Sequence, residues 1–88
     1  MIQTYTRETA YIKRLLPDHY ECHPTHYGVH CVSAIGIDEI KEEAIFRIFH
    51  IALKVRYGDR LMEIYHQTCT NHCEFTVFIK PEIISFQN

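Results

Sequence analysis

The sequence predicts an α+β fold in which a short N-terminal helix, a β-hairpin, a long helix and a second β-hairpin follow one another. The strands are expected in one four-stranded, mostly antiparallel sheet, with the long helix across one face and the first helix beside it. Three observations carry this reading. The hydrophobic period switches from helical to two, back to helical and again to two along the chain. Each of the three prolines, Pro17, Pro24 and Pro81, ends a periodic segment. No repeat, low-complexity tract or linker breaks the 88 residues, and 47% hydrophobic with 23% charged is ordinary for one domain spanning 1–88.

Residues Thr6 to Leu16 read as the first helix, with Thr4 or Thr6 as N-cap, an apolar stripe of Tyr11, Ile12, Leu15 and Leu16, and Pro17 as the stop. At about three turns it depends on docking. From His19 the period becomes two. His19 to His23 and Tyr27 to Ala34 read as strands joined at Pro24-Thr25-His26.

Asp38 is the expected N-cap of the long helix, which runs to Tyr57 and stops at Gly58. Acids fill its first turns, and Arg47, Lys54 and Arg56 lie later, which suits the macrodipole. At 100° per residue, Glu43, Arg47, His50 and Lys54 share a narrow polar strip. Ile40, Ala44, Ile48, Ile51, Ala52 and Val55 form an apolar side that Phe46, Phe49 and Leu53 extend. That arc is too wide for one sheet contact, so it calls for a second cover, either the first helix or another subunit. Leu61 to Thr68 and Cys73 to Lys80 then alternate around a turn at Thr70-Asn71-His72, giving the second hairpin. The tail from Glu82 to Asn88 is apolar enough to dock.

A chain of this size buries only about 60–65% of its unfolded surface, which favours a second subunit. Nine Lys plus Arg against eleven Asp plus Glu give a net charge of -2, so no basic excess points to nucleic acid. Neither a leader peptide nor a membrane span is read, and a cytoplasmic location is expected, with four cysteines as thiols.

Strand alternation places Tyr20, Cys22, Val29, Cys31, Met62, Ile64, Phe75, Val77 and Ile79 toward the long helix. The opposite face then carries His30, Val32, Glu63, Tyr65, Glu74, Thr76 and Phe78, together with His19, Glu21, His23, Gln67 and Lys80. Tyr65, Phe78 and Val32 are unusual on a solvated sheet surface, so this face is the candidate interaction surface. His19, His23 and His30 are expected to cluster there near Glu21.

Two other chemistries are available on paper. Cys22, His23, His26, His30 and Cys31 crowd one hairpin, and His66, Cys69, His72 and Cys73 the other, which suits zinc by ligand type. The spacing does not: there is no Cys-x-x-Cys, and His26 and His30 on a strand stand ~13 Å apart. The two turns should also lie at opposite ends of the sheet, because a helical crossover makes the strands on either side of it parallel. Cys69 and Cys73 face each other across a tight turn and could form a disulfide. For catalysis there is no phosphate loop, dinucleotide fingerprint or His-Glu-x-x-His, and the available nucleophile pair is Cys31 with His66.

The expectation is therefore a small non-enzymatic interaction protein with no cofactor or metal. It would be a homodimer or a regulator or inhibitor of a larger protein, in the manner of the small acidic proteins by which phages and mobile elements block host nucleases. A zinc-binding module and a small Cys–His enzyme are the alternatives.

Overall fold

The computed structural model describes residues 5–33, 39–69 and 72–81, without the side chains of residues 39, 40 and 69. The expected caps Thr4 and Asp38, Ala34, the Thr70-Asn71 portion of the second turn and the tail from Glu82 lie outside the described residues.

The elements are α1 (Thr6–Leu15), β1 (Tyr20–Pro24), β2 (Gly28–Ser33), α2 (Glu39–Tyr57), a 3-10 turn (Gly58–Arg60), β3 (Leu61–Cys69) and β4 (His72–Ile79). The four strands form one sheet in the order β1-β2-β4-β3, with every neighbouring pair antiparallel. The chain is thus an αββ unit followed by a second αββ unit, with the second strand of each hairpin at the centre. β2 and β3 run parallel with β4 between them, so the two hairpin turns sit at opposite ends, as a crossover by α2 requires.

Alternation explains the core. Val29, Cys31 and Ser33 on β2 pair with Val77, Phe75 and Cys73 on β4, and all six side chains are buried on one face. α1 supplies Ile12 and Leu16 and α2 supplies Phe49 and Leu53 to the same cluster, so both helices cover the same side of the sheet. α1 lies on β1 and β2 and α2 on β3, and the rings of Tyr11 and Tyr57 meet edge to face between the helices, 6.1 Å apart. β1 is an edge strand, which is where Pro24 costs no ladder hydrogen bond.

Gly28 and Gly58 both have positive φ, for different ends. At Gly28, φ is +155° and the backbone lies so close to β4 that a Cβ would land on the Val77 carbonyl oxygen. Gly58 closes α2 at φ +54° with open space around it, the left-handed stop that the sequence places there.

Four expectations are corrected. α1 has no threonine cap: Tyr5 holds the N-cap position without a side-chain cap, while its buried hydroxyl donates to the Ile79 carbonyl at 2.7 Å. Met62 does not face the helix. A register shift between Leu61 and Glu63 puts Leu61 opposite Ile79 and leaves Met62 exposed. His19 precedes β1, and its Nδ1 lies 2.6 Å from Ser33 Oγ, away from His23 and His30. The second hairpin is tighter than expected, with Cys69 opposite His72 and Cys73 opposite Thr68. Cys73 is buried, and the side chain of Cys69, its partner in the disulfide considered above, lies outside the described residues.

Candidate interaction surfaces

Opposite the helices, the register brings the candidate residues together. His30 lies between His23 on β1 and Thr76 on β4, Tyr65 on β3 also opposes Thr76, Val32 opposes Glu74, and Phe78 opposes Glu63. No described element covers this face. It divides into two chemistries. Near the first turn, Tyr27 stacks on Phe78 at 4.8 Å and Tyr65 meets Phe78 edge-on at 5.6 Å, which extends the aromatic patch beyond the expected pair. Glu63 beside Tyr65 raises the phenol pKa by its negative charge. Toward the other end, Glu74 is shared by two histidines, with His72 Nε2 at 3.0 Å and His30 Nε2 at 3.4 Å. Its carboxyl pKa is lowered, chiefly by the hydrogen bond from His72, which outweighs the opposing effect of burial, and His30 lowers it further. Glu74 is thus the acid that His30 meets, while Glu21 lies beside His23 on the edge strand, at 3.6 Å.

On α2 the apolar arc splits. Phe49 and Leu53 are buried, and Ile45 and Phe46 pack against the core. Ile48, Ile51 and Val55 remain 64%, 65% and 83% exposed, and Ala44 on the same row is exposed as well. Among the described residues, the second cover that the arc calls for is thus supplied on one side only. Ala44, Ile48, Ile51 and Val55 follow a 4-3-4 spacing, a helical seam with no partner among the described residues.

The sheet also fixes where the residues of the two alternatives stand. Cys22 and Cys31 face the helices whereas His23 and His30 face outward, because strand neighbours point to opposite sides. Among the described residues, no group of three or more His, Cys, Asp or Glu is placed to hold a metal ion. Cys31 and His66 both pair with Phe75, from opposite sides, so a whole strand separates them by ~10 Å. The His66 ring instead stacks on Phe75 at 4.4 Å and on Phe46 at 4.9 Å.

Two features escape sequence reasoning. Glu42, 1% exposed, is a core residue. Its Oε1 accepts from the Tyr20 hydroxyl at 2.6 Å and lies 3.2 Å from His66 Nε2, while Oε2 has no hydrogen-bond partner. Burial, and then this hydrogen bond, push the Tyr20 phenol pKa well above the ordinary range. The signal for Glu42 was its spacing, since it shares a 4-3-4 row with Phe46, Phe49 and Leu53. The second is a cleft of about 420 Å³ where Arg7, Arg56 and Arg60 gather with Glu8, Tyr11 and Tyr57. Glu8 is nearly buried and pairs with Arg60 at 3.4 Å, and Arg56 lies over the Tyr11 ring at 4.2 Å. This cluster joins α1 to the end of α2 and the turn that follows it, about fifty residues on, so composition could not reveal it.

No described helix is long and apolar enough to cross a membrane. Compared with protein-family models, curated proteins and solved structures, the chain finds no match.

Proposed function

We propose that this chain is a non-enzymatic protein–protein interaction protein that works as a homodimer and regulates or inhibits a larger protein. The observation that carries the reading is the uncovered seam of Ala44, Ile48, Ile51 and Val55. Its occupant is a second copy of the chain. The 4-3-4 spacing is the same in both directions, so an antiparallel two-fold pairing sets Ile48 against Ile51 and Ala44 against Val55. The same pairing brings the acidic start of α2, with Glu43, to the second copy's Lys54, and opposes the helix dipoles. Pairing through α2 leaves the sheet face with His30, Val32, Glu63, Tyr65, Glu74, Thr76 and Phe78 free on the far side. Aromatic and charged groups mixed on one open sheet suit a protein partner, since Tyr65 and Phe78 offer anchors beside a polar rim.

Sedimentation equilibrium over a concentration series tests the first half of the proposal. A reversible monomer–dimer equilibrium is expected. A monomer at every concentration up to the millimolar range removes the seam as evidence for association.

A further inference from the structure

The association surfaces give no role to the cysteines of the first hairpin. Cys22 and Cys31 are directly opposite in the β1–β2 register, on the face toward the helices. Residues so placed have Cα atoms about 4.5 or 5.5 Å apart, and both distances lie within the roughly 4.4–6.8 Å that a disulfide spans. Cys31 is fully buried, whereas Cys22 is half-buried on the edge strand, where a small reagent can reach it. Cys73 is buried opposite Ser33 and Thr68, away from this pair in register.

The surroundings differentiate the two sulfurs. The Cys31 thiol donates a hydrogen bond to Cys22, which lowers the pKa of Cys22 and raises that of Cys31. Lys13 on α1 is anchored to the same strand, its Nζ donating to the Tyr20 carbonyl at 2.8 Å, and its positive charge further favours the Cys22 thiolate. Burial opposes ionisation at both, and more effectively at Cys31. A half-buried, edge-strand thiolate beside a cation, backed by a second thiol, is an arrangement that supports exchange with disulfides.

We propose that Cys22 and Cys31 form a thiol–disulfide exchange site for small disulfides such as oxidised glutathione, with Cys22 as the attacking and Cys31 as the resolving sulfur. The Cys22 thiolate attacks one sulfur of the glutathione disulfide, forms a mixed disulfide and expels one glutathione thiolate. Cys31 gives up its proton, attacks Sγ of Cys22 and expels the second. Two cysteine thiols are oxidised to one disulfide, one glutathione disulfide is reduced to two thiols, and these carry away the two protons. The product ties edge strand β1 to β2.

The test is incubation of the full chain with oxidised glutathione, followed by intact mass and peptide mapping. The expected product is lighter by two hydrogens and carries one bond, between Cys22 and Cys31. Cys31→Ala should stop halfway, with one glutathione on Cys22. A bond that involves any other cysteine, or no reaction at Cys22, overturns the proposal. Because Cys31 is buried and its variant could unfold, Lys13→Gln provides a second test on an exposed residue. Alkylation of Cys22 by iodoacetamide near neutral pH should slow several-fold in that variant with unchanged circular dichroism, and an unchanged rate removes the assigned role of Lys13 and Cys22 as the activated thiol.

Discussion

Replacing Ile51 by Asp distinguishes an interface from an ordinary helix surface. Full burial of an isoleucine stabilises by ~1.5–3 kcal/mol. Ile51 is 65% exposed in the single chain, so about 1–2 kcal/mol is left for a partner to gain. A two-fold interface contains the residue twice, hence ~2–4 kcal/mol per dimer, and a carboxylate set against the Ile48 side chain adds at least ~1 kcal/mol of desolvation. A loss of ~3 kcal/mol or more raises the dissociation constant on the order of a hundredfold. The stability of the monomer should fall by no more than ~1 kcal/mol, because only about a third of that side chain is buried within the single chain. Two residues away, Phe49 packs on Phe75 at 4.7 Å and is 1% exposed. Phe49→Ala should cost about 3–5 kcal/mol, enough to unfold a small domain. Sedimentation equilibrium and urea denaturation on the three proteins give both quantities. Equal dissociation constants for wild type and Ile51→Asp refute the interface. A fall of more than ~1 kcal/mol in monomer stability refutes it differently, by showing that the seam is covered within the single chain.

Tyr20→Phe leaves Glu42 Oε1 with His66 alone and should lower stability at pH 7 by ~1.5–3 kcal/mol in urea denaturation. The raised phenol pKa stabilises the fold fully below the unfolded value near 10 and progressively less above it, so the wild type should weaken between about pH 10 and 11 and the variant should lack that component. The lowered carboxyl pKa of Glu74 acts in the opposite sense, adding stability above the unfolded value near 4.3 that is lost as pH falls through the folded one. Glu74→Gln should therefore be less stable at pH 7 and show a flatter acid limb in thermal melts from about pH 6 to 3, and an unchanged limb would mean that His72 and His30 do not hold the carboxylate in solution. Gly28→Ala should cost more than ~2 kcal/mol because its Cβ meets the Val77 carbonyl, against ~1 kcal/mol for Gly58→Ala, where only the left-handed backbone is penalised. Equal losses in urea would show that the close approach of β2 and β4 is relieved by a small shift.

Much of this architecture was legible because period and punctuation agree along the chain. In β2 and β4 every second side chain is buried, so alternation alone assigned His30, Val32, Glu74, Thr76 and Phe78 to one face. In β3 the same rule failed at Met62, since a bulge inserts one residue without leaving any mark on composition. His19 was assigned by extending the alternation past the true start of β1, where the chain no longer follows the pleat. Glu42 was hidden among the acids at the start of α2, which are explained well enough by the macrodipole. The guanidinium cleft joins Arg7 to residues about fifty positions away, and only the packing of α1 beside the end of α2 brings them together.

The long helix shows most clearly why one apolar arc was read where two seams exist. Glu42, Phe46, Phe49 and Leu53 form one 4-3-4 row, and Ala44, Ile48, Ile51 and Val55 form another on the side away from the sheet. The first is covered within the chain, and its one charged member, Glu42, is held by Tyr20 and His66. The second is built from two isoleucines and a valine at positions that a solvated helix fills with Ala, Lys or Glu at lower cost in side-chain entropy. Those three β-branched residues together disfavour the helix by about 1 kcal/mol relative to alanine, and in a single chain they bury too little to offset it. A partner that buried all three would more than offset that cost in each chain, which is why the seam argues for a partner more strongly than any exposed apolar residue taken singly.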